Sequence, residues 1–257
     1  RVPPRPAPLH WYLRTGAAPV VGSPNSEVEP GFQRNDDKFQ MPLQGSTQWD
    51  GFGHVMYQDT MYNGDWAGNV TAFGGASVLG IDKHRENFVG RCVLLDVARS
   101  EGLDPLERLT VIDRAMIERC LERQGTTIEP GDMVLVRTGY LALWDSTWSP
   151  DEVMYYFSGS PGLGVSAVDW CHDNDVSAVA TDTIAVEVFQ PEDPDARRSP
   201  VHVGALVDLG LPLGEFWVLD ELAADCADDS RYEFMLVAPP LNIPGAVGSP
   251  INPIALK

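Results

Sequence analysis

Basic residues, histidines and cysteines are all scarce in this chain of 257 residues, and each scarcity closes off a class of function. The 18 Lys+Arg face 37 Asp+Glu, for a net charge of −19. Nucleic acids and anionic membrane surfaces are held by clustered cations, so neither is an expected partner. The acidic excess reads as a solubility device and leaves a small-molecule substrate open. No apolar run approaches the ~18–20 residues that a membrane-spanning helix needs. Cys92, Cys120, Cys171 and Cys226 form no C-x-x-C pair. That pattern suits a reduced, cytoplasmic chain better than a disulfide scaffold or a zinc ribbon. G-x-S-x-G, P-loop and G-x-G-x-x-G motifs are all missing, so serine-hydrolase, NTPase and dinucleotide readings lose their usual support. Cys171-His172 falls within an expected helix and reads as packing and surface rather than as a thiol nucleophile.

A hydrophobic content of 44% and a charged content of 21% describe a chain that folds, long enough to bury a sizeable core. Residues 1–40 are rich in Pro, Gly and polar groups, with Trp11, Tyr12 and Leu13 among them. They read as an extended N-terminal arm that packs on the body or on a second subunit. No repeat or linker divides residues 41–257, which read as one domain. Within it, nearly continuous apolar runs at 88–97 and 133–136 predict buried strands. Residues 110–124 carry apolar positions at helical spacing, with Thr110 as the expected N-cap and Gly125 as the stop. Further helices are expected at 165–174 and 219–226, and strands at 176–180 and 232–238. Strands alternating with helices indicate an α/β layered fold.

The densest chemistry lies in Q-G-S-T-Q-W-D-G-F-G-H, residues 44–54. Gly51 and Gly53 allow a sharp turn that can bring Asp50 and His54 into one small volume. A carboxylate can anchor a divalent cation and a nearby imidazole can move a proton. A local Asp–His hydrogen bond is the plainer alternative. His202 and Glu215 flank an apolar segment and a Gly-Leu-Pro turn and can meet at one end of a sheet, or stand as a surface histidine and a helix-start carboxylate. Asp182 follows a buried strand, where α/β sheets present functional groups, and is equally readable as a turn carboxylate.

Taken in order, T-Q-W-D-G-F-G-H at Thr47, Y-N-G at Tyr62, G-R-C-V-L-L-D-V at Gly90, G-D-M-V-L-V-R-T-G at Gly131, P-G-L at Pro161, A-T-D-T at Ala180, L-P-L-G-E at Leu211 and G-S-P-I-N-P-I-A-L at Gly248 resemble the metal-dependent cyclase-like hydrolases. This is the family of bacterial kynurenine formamidase, isatin hydrolase and trans-dienelactone hydrolase. The resemblance implies a single compact α/β domain of the swivelling β/β/α type, assembled as a homodimer or homotetramer. The family motif is H-x-G-T-H-x-D-x-P-x-H, in which two His and the Asp bind a divalent metal and the last His is the acid/base group. Asp50 matches the ligand Asp, His54 the catalytic His, and His202 with Glu215 a later metal-binding pair. Gln44 and Gln48 stand where the family has its two ligand histidines. A carboxamide oxygen is a harder, poorer zinc ligand than imidazole, so manganese or magnesium competes with zinc as the expected ion.

The resemblance thus implies a hydrolase that opens a cyclic amide, lactone or related C–N or C–O bond. Its ion would polarise the carbonyl and activate water, with His54 relaying the proton. Trp49, Phe52 and Tyr62 could wall the site for a flat substrate, although aromatics beside a turn are more often plain core. The two Gln substitutions keep two other readings open: a metal-free isomerase, cyclase or lyase, and a binding protein without turnover.

Overall fold

Strands that are apolar at both parities need cover on both faces, and the structure supplies it with helices on either side of one sheet. The computed structural model describes residues 5–16, 34–189 and 199–257. A ribbon of β1 (Leu9–Arg14) and β2 (Asp36–Gln40) precedes β3 (Gln48–Asp50) and the small pair β4 (Val70–Thr71) and β5 (Gly75–Ala76). Next come β6 (Val89–Asp96), α1 (Val97–Ser100), β7 (Val111–Ile112), α2 (Arg114–Gln124), β8 (Met133–Arg137) and α3 (Pro150–Phe157). They lead to β9 (Gly162–Leu163), α4 (Val165–Asp173), β10 (Ala178–Thr181) and α5 (Pro200–His202), which runs on as a π-helix over Val203–Leu209. The chain ends with β11 (Leu213–Glu215), α6 (Asp220–Asp229), β12 (Glu233–Val237), β13 (Gly248–Pro250) and β14 (Ile254–Leu256).

The main sheet has 8 strands in the order β13-β3-β11-β10-β8-β6-β12-β14. Its centre, β11-β10-β8-β6, is parallel, and both flanks are antiparallel. Val93, Leu95, Val134, Val136 and Val179 face α2, α4 and α5 through Ile117, Ala167, Cys171, Val201 and Leu206. The alternate residues Cys92, Leu94, Met133, Leu135, Ala178 and Ala180 face the opposite way, toward Trp49, Trp217 and Ala223 and Cys226 of α6. This is the mixed α/β domain that the resemblance implied, and the four cysteines are free and buried in it. Among the described residues, no helix is long and apolar enough to cross a membrane.

Two local expectations change. Thr110 is not the helix cap: β-branched Val111 and Ile112 pair with Gly162 and Leu163 instead, and Asp113 caps α2 by accepting the Met116 N–H at 2.8 Å. Gly125 ends that helix with φ 67°, as its position implied. The expected arm lies partly outside the described residues. Its described strands form an antiparallel ribbon that leaves Leu9, Tyr12, Leu13 and Phe39 exposed.

Asp182 is a turn carboxylate. It accepts the Thr138 N–H (2.8 Å) and hydroxyl (2.6 Å) on one oxygen and the Gly139 N–H (2.7 Å) on the other. Burial pushes its carboxyl up to about 6 against the pull of those donors. A group whose folded pKa is raised in this way favours the native state most below its unfolded pKa of 3.8, and that contribution is lost as pH rises through about 6. Asp182→Asn is expected to cost about 1–3 kcal/mol at pH 7, because its amide faces a backbone donor. It should also remove the part of the pH dependence between roughly 4 and 6 that Asp182 causes. Urea titrations of both proteins at pH 5 and pH 7 measure both effects.

Candidate functional site

Strand parity builds the site. In β3, Trp49 points into the core beside α6, fully buried against Phe88 and Trp217. Gln48 and Asp50 therefore project from the other face. In the neighbouring β11, Leu213 and Glu215 share that face, while Gly214 has room for no side chain between Trp49, Trp217 and Ala180. The register sets Glu215 opposite Gln48, and the Gln48 amide donates to the Glu215 carboxylate at 2.7 Å. His202, at the end of α5, reaches the same place from the helical layer, its Nε2 lying 3.5 Å from Glu215 Oε1. A π-helical turn directly follows it, a form that recurs at functional sites.

The loop after β3 carries the fourth group. His54 Nε2 lies 3.7 Å from Asp50 Oδ1, with the imidazole partly exposed. Gly51 and Gly53 serve this loop differently from the sharp turn expected of them, since neither has a left-handed φ. They let the backbone approach its neighbours. Gly51 N–H bonds Val247 O at 2.9 Å and Gly53 N–H bonds Leu79 O at 3.2 Å. A Cβ at either glycine would come within 3.0–3.1 Å of these neighbouring segments.

Ligand atoms of Asp50, His202 and Glu215 all lie within 4.8 Å of one another. Asp50 Oδ2 and Gln48 Oε1 are buried without a hydrogen-bond partner. An orphaned carboxylate oxygen in a buried site costs free energy unless a proton or a cation satisfies it. Two carboxylates and one imidazole are a donor set that a divalent ion of intermediate hardness accepts. The residues present therefore fit a metal. Gln44 stands at the edge of this group, its amide lying over Gly248, which pairs with Asp50 across β13.

The electrostatics are those of crowded anions around a trapped imidazole. Burial, and then the charge of Glu215, raise the Asp50 carboxyl well above its usual range, opposed by His202 and Arg5. Burial works against a charged His202, but hydrogen bonds to Glu187 and Glu215 outweigh it and carry the imidazole up to about 10. Burial, then His202, then Arg5 lower His54 to about 4. The arm thus places Arg5 within electrostatic reach of Asp50 and His54.

Asp50, His54, His202 and Glu215 are brought together. Asp182 stays apart in its turn, and Trp49 forms no wall because it belongs to the core. Phe52 and Tyr62 pair with ring centroids 4.9 Å apart. One residue was missed by sequence reasoning: Glu187 holds His202 Nδ1 at 2.6 Å. Its signal was a lone carboxylate in the apolar run A-V-E-V-F, since unpaired carboxylates are rarely buried.

A search of curated protein sequences returns no match. Solved structures give several. A crystal structure described as a novel cyclase is 42% identical, with a TM-score of 0.90 over 99% of this chain and 81% of that one. Isatin hydrolase A from Labrenzia aggregata, bound to benzyl benzoate, is 18% identical, with a TM-score of 0.65 over 100% of this chain and 87% of that one. A predicted metal-dependent hydrolase from Bacillus stearothermophilus is 14% identical, with a TM-score of 0.53 over 96% and 86%. The last two share the fold. The Cyclase family model matches residues 7–188. That span takes in β3, the His54 loop and Glu187, so the chain belongs to the Cyclase family.

Proposed function

We propose that this chain is a hydrolase that opens a cyclic amide, lactone or related C–N or C–O bond, with a divalent cation held by Asp50, Glu215 and His202. The observation that carries the reading is the buried convergence of those three side chains beside an unsatisfied Asp50 oxygen. Gln48 braces Glu215 through its amide N–H and would offer its neutral carbonyl oxygen to the ion with the carboxamide turned over, and Gln44 stands at the rim. Manganese, zinc and magnesium are the candidate ions. A cation there supplies Lewis acidity, polarising a carbonyl and lowering the pKa of water.

The chain's own groups do the rest. His54 is neutral at pH 7, so it can take a proton from water at Nε2 and return it to the leaving nitrogen or oxygen. Asp50, 3.7 Å away, orients that imidazole and balances its transient charge. Isatin hydrolase among the structural neighbours supports a cyclic amide as the first substrate to try. The exposed apolar ribbon of the arm supports a homodimer or homotetramer, and the free buried cysteines support a cytoplasmic setting.

The test is divalent-metal content of the purified protein, with turnover on cyclic amides and lactones before and after chelation. Stoichiometric metal and chelator-sensitive ring opening support the hydrolase. Turnover indifferent to chelator supports the metal-free isomerase, cyclase or lyase, and ligand binding without turnover supports the binding protein. The two carboxamides give a further prediction. Gln44→His with Gln48→His is expected to tighten zinc binding by about tenfold or more, because neutral imidazole is the better zinc donor. Calorimetric zinc titration checks it, and an unchanged affinity would place the metal elsewhere.

A further inference from the structure

We infer that Glu187 is the positioning residue of this centre: its carboxylate holds the His202 imidazole with Nδ1 as donor and Nε2 turned toward Asp50 and Glu215. The inference rests on the metal reading above and adds a residue to it. Glu187 is 5% exposed and His202 is 7% exposed. Glu187 Oε1 lies 2.6 Å from His202 Nδ1, and Oε2 accepts the Val201 N–H at 3.1 Å. Both oxygens are thus tied to α5, one to the ring and one to the backbone beside it. With Nδ1 committed to Glu187, only Nε2 can serve a cation between Asp50 and Glu215. A carboxylate behind a ligand histidine also raises the basicity of the ligating nitrogen.

The backbone of Glu187 is itself clamped. Leu163 N–H bonds Val186 O at 2.8 Å, and Val188 N–H bonds Leu163 O at 3.1 Å. Val186, β-branched, is held at φ 51°, a conformation that persists only where its surroundings impose it. Gly162 lies so close that a Cβ there would come 2.2 Å from the Glu187 carbonyl carbon. The fold therefore fixes the carboxylate from outside the centre.

Positioning and a merely structural role separate in two measurements. The first is Mn2+ affinity by calorimetry, with chemical denaturation of the chelated protein as the control. Glu187→Gln is expected to weaken Mn2+ binding about 10- to 100-fold, the usual effect of losing the carboxylate behind a ligand histidine. Gly162→Ala displaces Glu187 while leaving its chemistry intact, and should weaken Mn2+ in the same direction. Lower stability of the chelated variants with wild-type Mn2+ affinity would overturn the inference. The second measurement needs no metal. Nitrogen-15 NMR of the His202 ring should show a downfield, exchange-protected Nδ1 proton in the wild type that is lost in Glu187→Leu, whose side chain has no oxygen to accept it. If wild-type protein binds no Mn2+, the metal reading falls, and this proton decides the role of Glu187 by itself. Its persistence in Glu187→Leu would overturn the inference.

Discussion

Asp50→Asn is expected to lower divalent-metal affinity by more than the ~10–100-fold assigned to an outer partner, and with it nearly all ring-opening activity. In the metal-free protein the same change should stabilise the fold. Asp50 is fully buried and its Oδ2 has no partner. Its carboxyl is raised by burial and by Glu215, so near neutrality the native state carries a poorly satisfied charge or an unfavourable proton. Replacing that group with a neutral amide of the same shape removes the conflict, worth about 1–3 kcal/mol on the scale of a buried unsatisfied group. Opposite signs for metal affinity and for metal-free stability mark a residue kept for function at a cost to the fold. Urea denaturation in chelator and Mn2+ calorimetry on the same samples read both. Destabilisation of the metal-free variant would make Asp50 a structural carboxylate and remove it from the centre.

Much of this geometry was readable in the chain because it follows from local rules. Apolar runs at 88–97 and 133–136 read as doubly covered strands, and Gly125 as the stop of the helix before it. Asp50 and His54 were visible because one short segment carries both. What stayed hidden depended on contacts distant in sequence. Val111-Ile112 looked like the first turn of a helix until Gly162-Leu163 offered it a strand partner. Trp49 could be read as a substrate wall or as core, because an aromatic beside a ligand has no visible facing. Its side became known only from the pairing of β3 with β11. Glu187 is the hardest case. It lies 15 positions from His202, and nothing in its own segment says that an imidazole awaits it. The same dependence explains why Gly51 and Gly53 were assigned a sharp turn. Their actual constraint is the approach of residues 79 and 247, which sequence order does not reveal.

Removing His54 should separate proton transfer from metal binding. His54→Ala is expected to keep metal affinity within a few-fold of wild type and to lower kcat by roughly 100- to 10,000-fold, the contribution of a positioned acid/base group. The ligand atoms that converge within 4.8 Å belong to Asp50, His202 and Glu215, whereas His54 approaches Asp50 only to 3.7 Å and retains access to solvent. A base must be neutral to act, and burial, His202 and Arg5 hold this imidazole near 4. Activity that depends on it should therefore be lost only at a pH below the fall near 6.5 that an ordinary histidine would give, because burial, the largest cause, lowers the imidazole. Turnover on a cyclic amide at saturating metal, measured across pH for wild type and His54→Ala, tests both statements. A variant that lost metal but kept its rate per bound ion would make His54 a ligand. A wild-type profile falling near 6.5 would place the working base in a more solvated, less positively charged setting than this loop provides.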